Sequence, residues 1–116
     1  MTVQMYGITN CDTVKNARAF LTGGGVAFDF IDYKKQGLRG ETLDGWLGAL
    51  GWEALLNRQG NTWRGLDDAM RASALDAAGA RELMLAHTSV IKRPLVVWGD
   101  GRTTVGFDAD DWAARA

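Results

Sequence analysis

Cys11 is the only cysteine among 116 residues, and its neighbours Asn10, Asp12 and Thr13 are polar. It stands where a strand-like run, Val3 to Tyr6 closed by Gly7, gives way to Val14, Ala17 and Leu21 at helical spacing. A thiol there lies at the start of a helix. Unpaired backbone N–H groups and the helix dipole at that end favour an anion, so the spacing predicts a stabilised thiolate, a nucleophile toward oxidised sulfur. Lys15 and Arg18 follow at one-turn steps and add positive charge. A structural thiol would need apolar neighbours, which Asn10-Cys11-Asp12-Thr13 does not supply. One Cys and one His allow neither an internal disulfide nor a self-contained zinc site, and they place the chain in the reducing cytoplasm as an expectation.

The elements that must hold this thiol follow from hydrophobic period and glycine punctuation. A helix beginning near Asn10 ends at Gly23-Gly24-Gly25, and Ala27 to Tyr33 reads as a second strand. Leu43, Trp46, Leu47 and Leu50 then fall on one helical stripe. Next come a short apolar turn (Trp52 to Leu56), a polar loop (Asn57 to Thr62), and helical stretches around Ala69–Leu75 and Ala77–Ala86. Leu95 to Trp98 reads as a third strand, paired through an Asp100-Gly101 hairpin with Arg102 to Val105. Asp108 caps a last helix with Asp110 and Asp111 in its first turn. The order β-α-β, several helices, β-β-α predicts an α/β class and a thioredoxin-like fold with an all-helical insertion at about 41–87, all in one domain spanning 1–116.

Composition removes other classes. With 13 Lys+Arg against 14 Asp+Glu the net charge is −1, so no basic surface for nucleic acid is expected. No apolar run approaches the roughly 18 residues of a membrane span, and Met1 to Gln4 carries no secretory pattern. His87 reads as a helix-end residue. Thr62, Ser73 and Ser89 lack a nucleophile elbow, and Gly23-Gly24-Gly25 lacks the ending of a phosphate loop. The five tryptophans read as core and cleft wall.

Gly7-Ile8-Thr9-Asn10-Cys11-Asp12-Thr13-Val14-Lys15-Asn16-Ala17-Arg18 resembles the active-site loop of the arsenate reductase (ArsC)/Spx family, most of all its YffB-like branch. Three further blocks agree in order: Asp32 to Lys35, Leu55 to Arg64, and Ser89 to Leu95. The resemblance implies a thioredoxin-like core and Cys11 as the nucleophile. It implies that Arg93 points at the thiol and that Arg58 faces the same cleft. It further implies a cis bond before Pro94, and a binding site for glutathione or an oxyanion made by Asn10, Lys15, Arg58, Arg93 and Pro94, without a metal.

Two features of this chain refine that implication. Val14 stands where a second cysteine of a C-x-x-C would be, so a mixed disulfide at Cys11 must be cleared by an outside thiol, glutathione in the cytosol. Gly106-Phe107-Asp108 stands where the arsenate-reducing branch places Gly-Arg-Pro, which removes one cation from an oxyanion cradle. The expected function is a cytosolic glutathione-dependent thiol–disulfide reductase. Glutathione is its co-substrate, glutaredoxin a possible further partner, and no cofactor is tightly bound. The expected state is a monomer that engages neither nucleic acid nor membrane. The alternatives are a glutathione/glutaredoxin-dependent arsenate reductase and a non-catalytic, Spx-like adaptor of RNA polymerase.

Overall fold

The computed structural model describes residues 2–115. The chain divides into two units: one takes the segment up to residue 36 and again from 93 onward, the other residues 37–92. In the first unit, β1 (Val3–Gly7), α1 (Asp12–Gly23), β2 (Phe28–Asp32) and α2 (Tyr33–Gln36) precede the break. Then β3 (Leu95–Val97), β4 (Thr103–Val105) and α8 (Ala109–Arg115) follow it. Among the described residues the four strands form one mixed sheet in the order β2-β1-β3-β4, with β1 parallel to β2 and antiparallel to β3, and β3 antiparallel to β4. This is the thioredoxin-like α/β arrangement.

Strand alternation builds its core. Val3 and Met5 share one face of β1, and Met5 lies opposite Phe30 of β2 and Val96 of β3. Ala17 and Leu21 bring α1 onto that cluster, and Trp112 brings α8. Met5 and Leu21 are fully buried, each contributing roughly 1.5–3 kcal/mol relative to an exposed position. Trp112 meets Trp98, Phe107 and Phe20 edge-on, with ring centroids 5.0, 4.7 and 6.3 Å apart. The indole N–H of Trp98 donates to Thr104 Oγ1 at 2.9 Å, so its burial leaves no orphaned donor.

The second unit contains α3 (Gly40–Leu50), α4 (Trp52–Leu55), α5 (Asn61–Gly65), α6 (Asp68–Ser73), α7 (Ala77–Ala86) and a 3-10 turn at Thr88–Val90. α7 packs on α3, α4 and α6, and Leu43, Trp46, Leu55, Leu83 and Met84 are buried. The Asp76 carboxylate caps α7 by accepting from the Gly79 N–H at 2.8 Å. Glycine is required at 79 because an added Cβ would stand 1.9 Å from the Ser73 carbonyl oxygen. Among the described residues no helix is long and apolar enough to cross a membrane.

Several expectations need correcting. Tyr33 does not end the second strand; it opens α2, because the Asp32 carboxylate accepts from the N–H groups of Lys34 and Lys35 (3.0 and 3.1 Å) and turns the chain. The polar segment from Asn57 holds the start of a helix at Asn61, a single turn with no buried residue and hence no apolar period to read. The helix expected at Ala69–Leu75 starts earlier and stops at Ser73, leaving Leu75 exposed. β3 ends before Trp98, and α1 begins after Cys11.

Candidate active site

Three short segments of the sheet unit converge on Cys11. The first is its own loop. Cys11 is the residue just before α1, in extended conformation (φ −146°, ψ 122°), and its carbonyl accepts the Lys15 N–H at 2.9 Å. The thiol is therefore half-buried at the open end of the helix. Gly7 sets this placement, since an added Cβ would stand 3.0 Å from Val14 Cγ2 in the first turn of α1.

The second segment is the end of β2. Asp32 is 6% exposed, and its carboxylate accepts from the Thr9 N–H at 2.9 Å and the Thr9 hydroxyl at 2.5 Å, besides capping α2. Burial opposes its charge, but these four hydrogen bonds outweigh burial and hold its carboxyl below the usual carboxylate range. Asp32 thus fastens the cysteine loop to the β2–α2 junction.

The third segment precedes β3. The Arg93–Pro94 peptide bond is cis, as the resemblance implies. Pro94 is buried, and its carbonyl accepts the Gly106 N–H at 2.9 Å, which ties the turn to the hairpin. From this turn Arg93 brings its positive charge to bear on the Cys11 thiol. Burial alone would push the Cys11 thiol up. The Val14 N–H, the Arg93 guanidinium and the Thr13 N–H together exceed it and bring the thiol below its ordinary value. Accordingly, thiolate absorbance near 240 nm should show Cys11 titrating below a free cysteine, and Arg93→Ala should raise the midpoint. A midpoint at or above that of free cysteine would remove the activated nucleophile.

The remaining site candidates are placed differently. Asn10 and Lys15 are exposed beside Cys11, and neither side chain makes a hydrogen bond or ion pair among the described residues. Arg18 lies over the Phe30 ring, 4.2 Å from its centroid, so its cation is engaged on β2. Arg58 belongs to the helical unit, 5.5 Å from the Trp52 ring centroid. With Glu53, Leu56, Asn57, Gln59 and Lys92 it lines a hollow of about 220 Å³. The backbone there is pinned by an antiparallel bridge between Leu56 and Ile91 and by bonds from Asn57 N–H to Val90 and Lys92 N–H to Leu55, both 2.7 Å. His87 closes α7 as a helix-end residue.

Sequence reasoning gave no role to Asp32 or Tyr33, although both lie in a block that resembles the family. The signal available was an acid ending a strand just before a helix, the pattern of a helix cap. Tyr33 is 1% exposed, and burial pushes its phenol up to about 12 against the pull of the Arg93 charge.

Comparison with known proteins agrees with this architecture. A YffB protein of solved structure is 51% identical, with a TM-score of 0.91 over 98% of each chain. An arsenate reductase (ArsC) related protein from Brucella melitensis is 50% identical, with a TM-score of 0.78 over 98% of this chain and 93% of that one. An uncharacterized protein of Haemophilus influenzae is 34% identical over 112 residues, 97% of this chain and 96% of its own. The ArsC family model matches residues 6–115. The chain belongs to the ArsC family and has its arsenate reductase-like, thioredoxin-like fold.

Proposed function

We propose that this chain is a cytoplasmic, glutathione-dependent thiol–disulfide reductase that works through Cys11. The observation that carries this reading is the pairing of Arg93 with a half-buried thiol in a chain that has no second cysteine. The Cys11 thiolate attacks one sulfur of a mixed disulfide between glutathione and a small thiol. A bond forms from Cys11 to the glutathione sulfur, and the small thiol leaves as its thiolate. A second glutathione thiolate then attacks that bond, releasing glutathione disulfide and restoring the Cys11 thiolate. Both steps balance with glutathione as the only reductant, so no bound cofactor is required. Glutathione carries carboxylates, and Arg93 and Arg58 are the cations that the family resemblance assigns to them; an arginine fork suits a carboxylate bidentately. Glutaredoxin is the partner class that would share this glutathione cycle.

The test follows NADPH consumption with glutathione, glutathione reductase and such a mixed disulfide. Wild-type protein should accelerate the reaction, and Cys11→Ser should fall to the uncatalysed rate. Acceleration that survives Cys11→Ser would place the chemistry elsewhere. Arsenate reduction is the second reading. It is favoured by the same thiolate–arginine pair, which suits an oxyanion, and by the 50% identical relative described as arsenate reductase related.

A further inference from the structure

The hollow of about 220 Å³ in the helical unit is lined by charged side chains of both signs, Glu53, Arg58 and Lys92. Local structure places them. Glu53 stands in the single turn of α4, and the chain leaves that turn through buried Leu56 into the antiparallel bridge with Ile91. The Lys92 N–H donates to the Leu55 carbonyl at 2.7 Å, which sets Lys92 beside the segment that carries Glu53. Arg58 follows Asn57, whose side-chain oxygen accepts the Gln59 N–H at 3.0 Å and tightens the loop. The Arg58 guanidinium lies 5.5 Å from the Trp52 ring centroid, near enough for the ring face to hold it. Among the described residues none of these three charged side chains has an ion-pair partner, and they do not pair with one another. The hollow therefore offers two cations and one anion to whatever enters it.

We propose that this hollow binds the amino-acid head of the γ-glutamyl end of glutathione, with Arg58 and Lys92 on its α-carboxylate and Glu53 on its α-ammonium group. The identity of the ligand rests on the glutathione-dependent reading above, whereas the charge pattern belongs to the hollow itself. A γ-glutamyl head carries its ammonium and its carboxylate on one carbon atom, so it needs both signs of charge within one small site. A simple oxyanion needs cations alone, and Glu53 would repel it. The Arg58 fork suits the carboxylate bidentately, and Lys92 adds a second positive charge. Leu56 gives the two methylene groups of the γ-glutamyl chain an apolar surface to lie on. Size agrees. Pockets that enclose drug-sized molecules run to about 300–1,000 Å³, so this smaller hollow suits one residue of the tripeptide rather than all three. The charged side chains are open to water, which screens each contact. The expected effects are therefore several-fold rather than hundredfold.

The test is an NMR titration with two ligands that cannot form a mixed disulfide. One is S-methylglutathione; the other is its deamino analogue, glutaryl-S-methylcysteinylglycine, in which a hydrogen replaces the ammonium group. S-methylglutathione should shift the amide resonances of Glu53, Asn57, Arg58, Gln59 and Lys92, and the deamino analogue should bind roughly three- to tenfold more weakly. Glu53→Gln should abolish that preference. Lys92→Met should weaken both ligands by a similar factor and keep the preference, since both retain the carboxylate. Glu53 and Lys92 are exposed, so neither substitution removes a buried side chain. Equal binding of the two ligands to wild-type protein, or a preference that survives Glu53→Gln, would overturn the proposal. So would shifts that leave these amides untouched, or inorganic phosphate that displaces S-methylglutathione from them at equal concentration. Free glutamate carries the same head without the rest of the tripeptide and should bind more weakly; equal affinity would make a free amino acid the occupant and overturn the assignment to glutathione. Running the titration on Cys11→Ser as well separates binding from turnover. A failed reductase assay with the ammonium preference intact overturns the reductase reading alone, and a lost preference with turnover intact overturns this site alone.

Discussion

Arg93→Ala is expected to weaken glutathione binding roughly 10- to 150-fold, the equivalent of about 1.5–3 kcal/mol for a lost hydrogen bond to a charged group. Arg102→Ala is expected to change it little. The two arginines lie on the same β3–β4 region of the chain but differ in setting. Arg93 is half-buried, anchored by the turn at Pro94, with its charge acting on the Cys11 thiol. Arg102 has a side chain 76% exposed in the hairpin turn, with Asp100 3.7 Å away as its partner. An exposed ion pair of that kind contributes little, because solvent screens it. Calorimetry with S-methylglutathione, which cannot form a mixed disulfide, reads the binding alone. Equal and small effects of the two substitutions would mean that the glutathione carboxylates are bound without Arg93.

What the sequence makes legible follows the range over which each signal acts. Val14, Ala17 and Leu21 on α1 and Leu43 and Trp46 on α3 are buried as their spacing implies, because a stripe of apolar residues reports its own burial. The helix-start position of Cys11 is equally local. α2 and α5 were hidden, since a single turn has no period, and the start of α2 depends on where the Asp32 carboxylate points. Arg93 and Arg58 carry no local mark that separates them from any surface arginine, so only the resemblance singled them out. Tyr33 could not be found in this way. It lies in the run Ala27 to Tyr33 that reads as one aromatic and β-branched strand, and the Arg93 charge that acts on it is brought by folding from far along the chain.

Reduction of a small glutathione mixed disulfide should outpace reduction of arsenate when both are assayed with glutathione and glutaredoxin recycling against a Cys11→Ser blank. Arsenate is anionic at neutral pH and must lie against a thiolate, so its site needs several cations to offset the repulsion. Arg93 is at the sulfur, and Arg58 is the other arginine the resemblance assigns to the oxyanion. The third position of the arsenate-reducing branch is occupied here by Phe107. Its ring lies edge-on to Trp112 and Phe20, with centroids 4.7 and 5.6 Å away, so it belongs to the aromatic cluster over the sheet. Lys15 cannot replace a guanidinium, because a single ammonium does not fork onto two oxygens. A lost bidentate contact where charge develops costs on the order of 2–4 kcal/mol, a factor of about 30 to 1,000 in rate. Disulfide exchange is spared that cost, since its leaving group is a thiolate rather than a multiply charged oxyanion. If arsenate turns over faster than the disulfide, the cradle does not need the cation that Phe107 displaces, and arsenate reduction becomes the function of this chain.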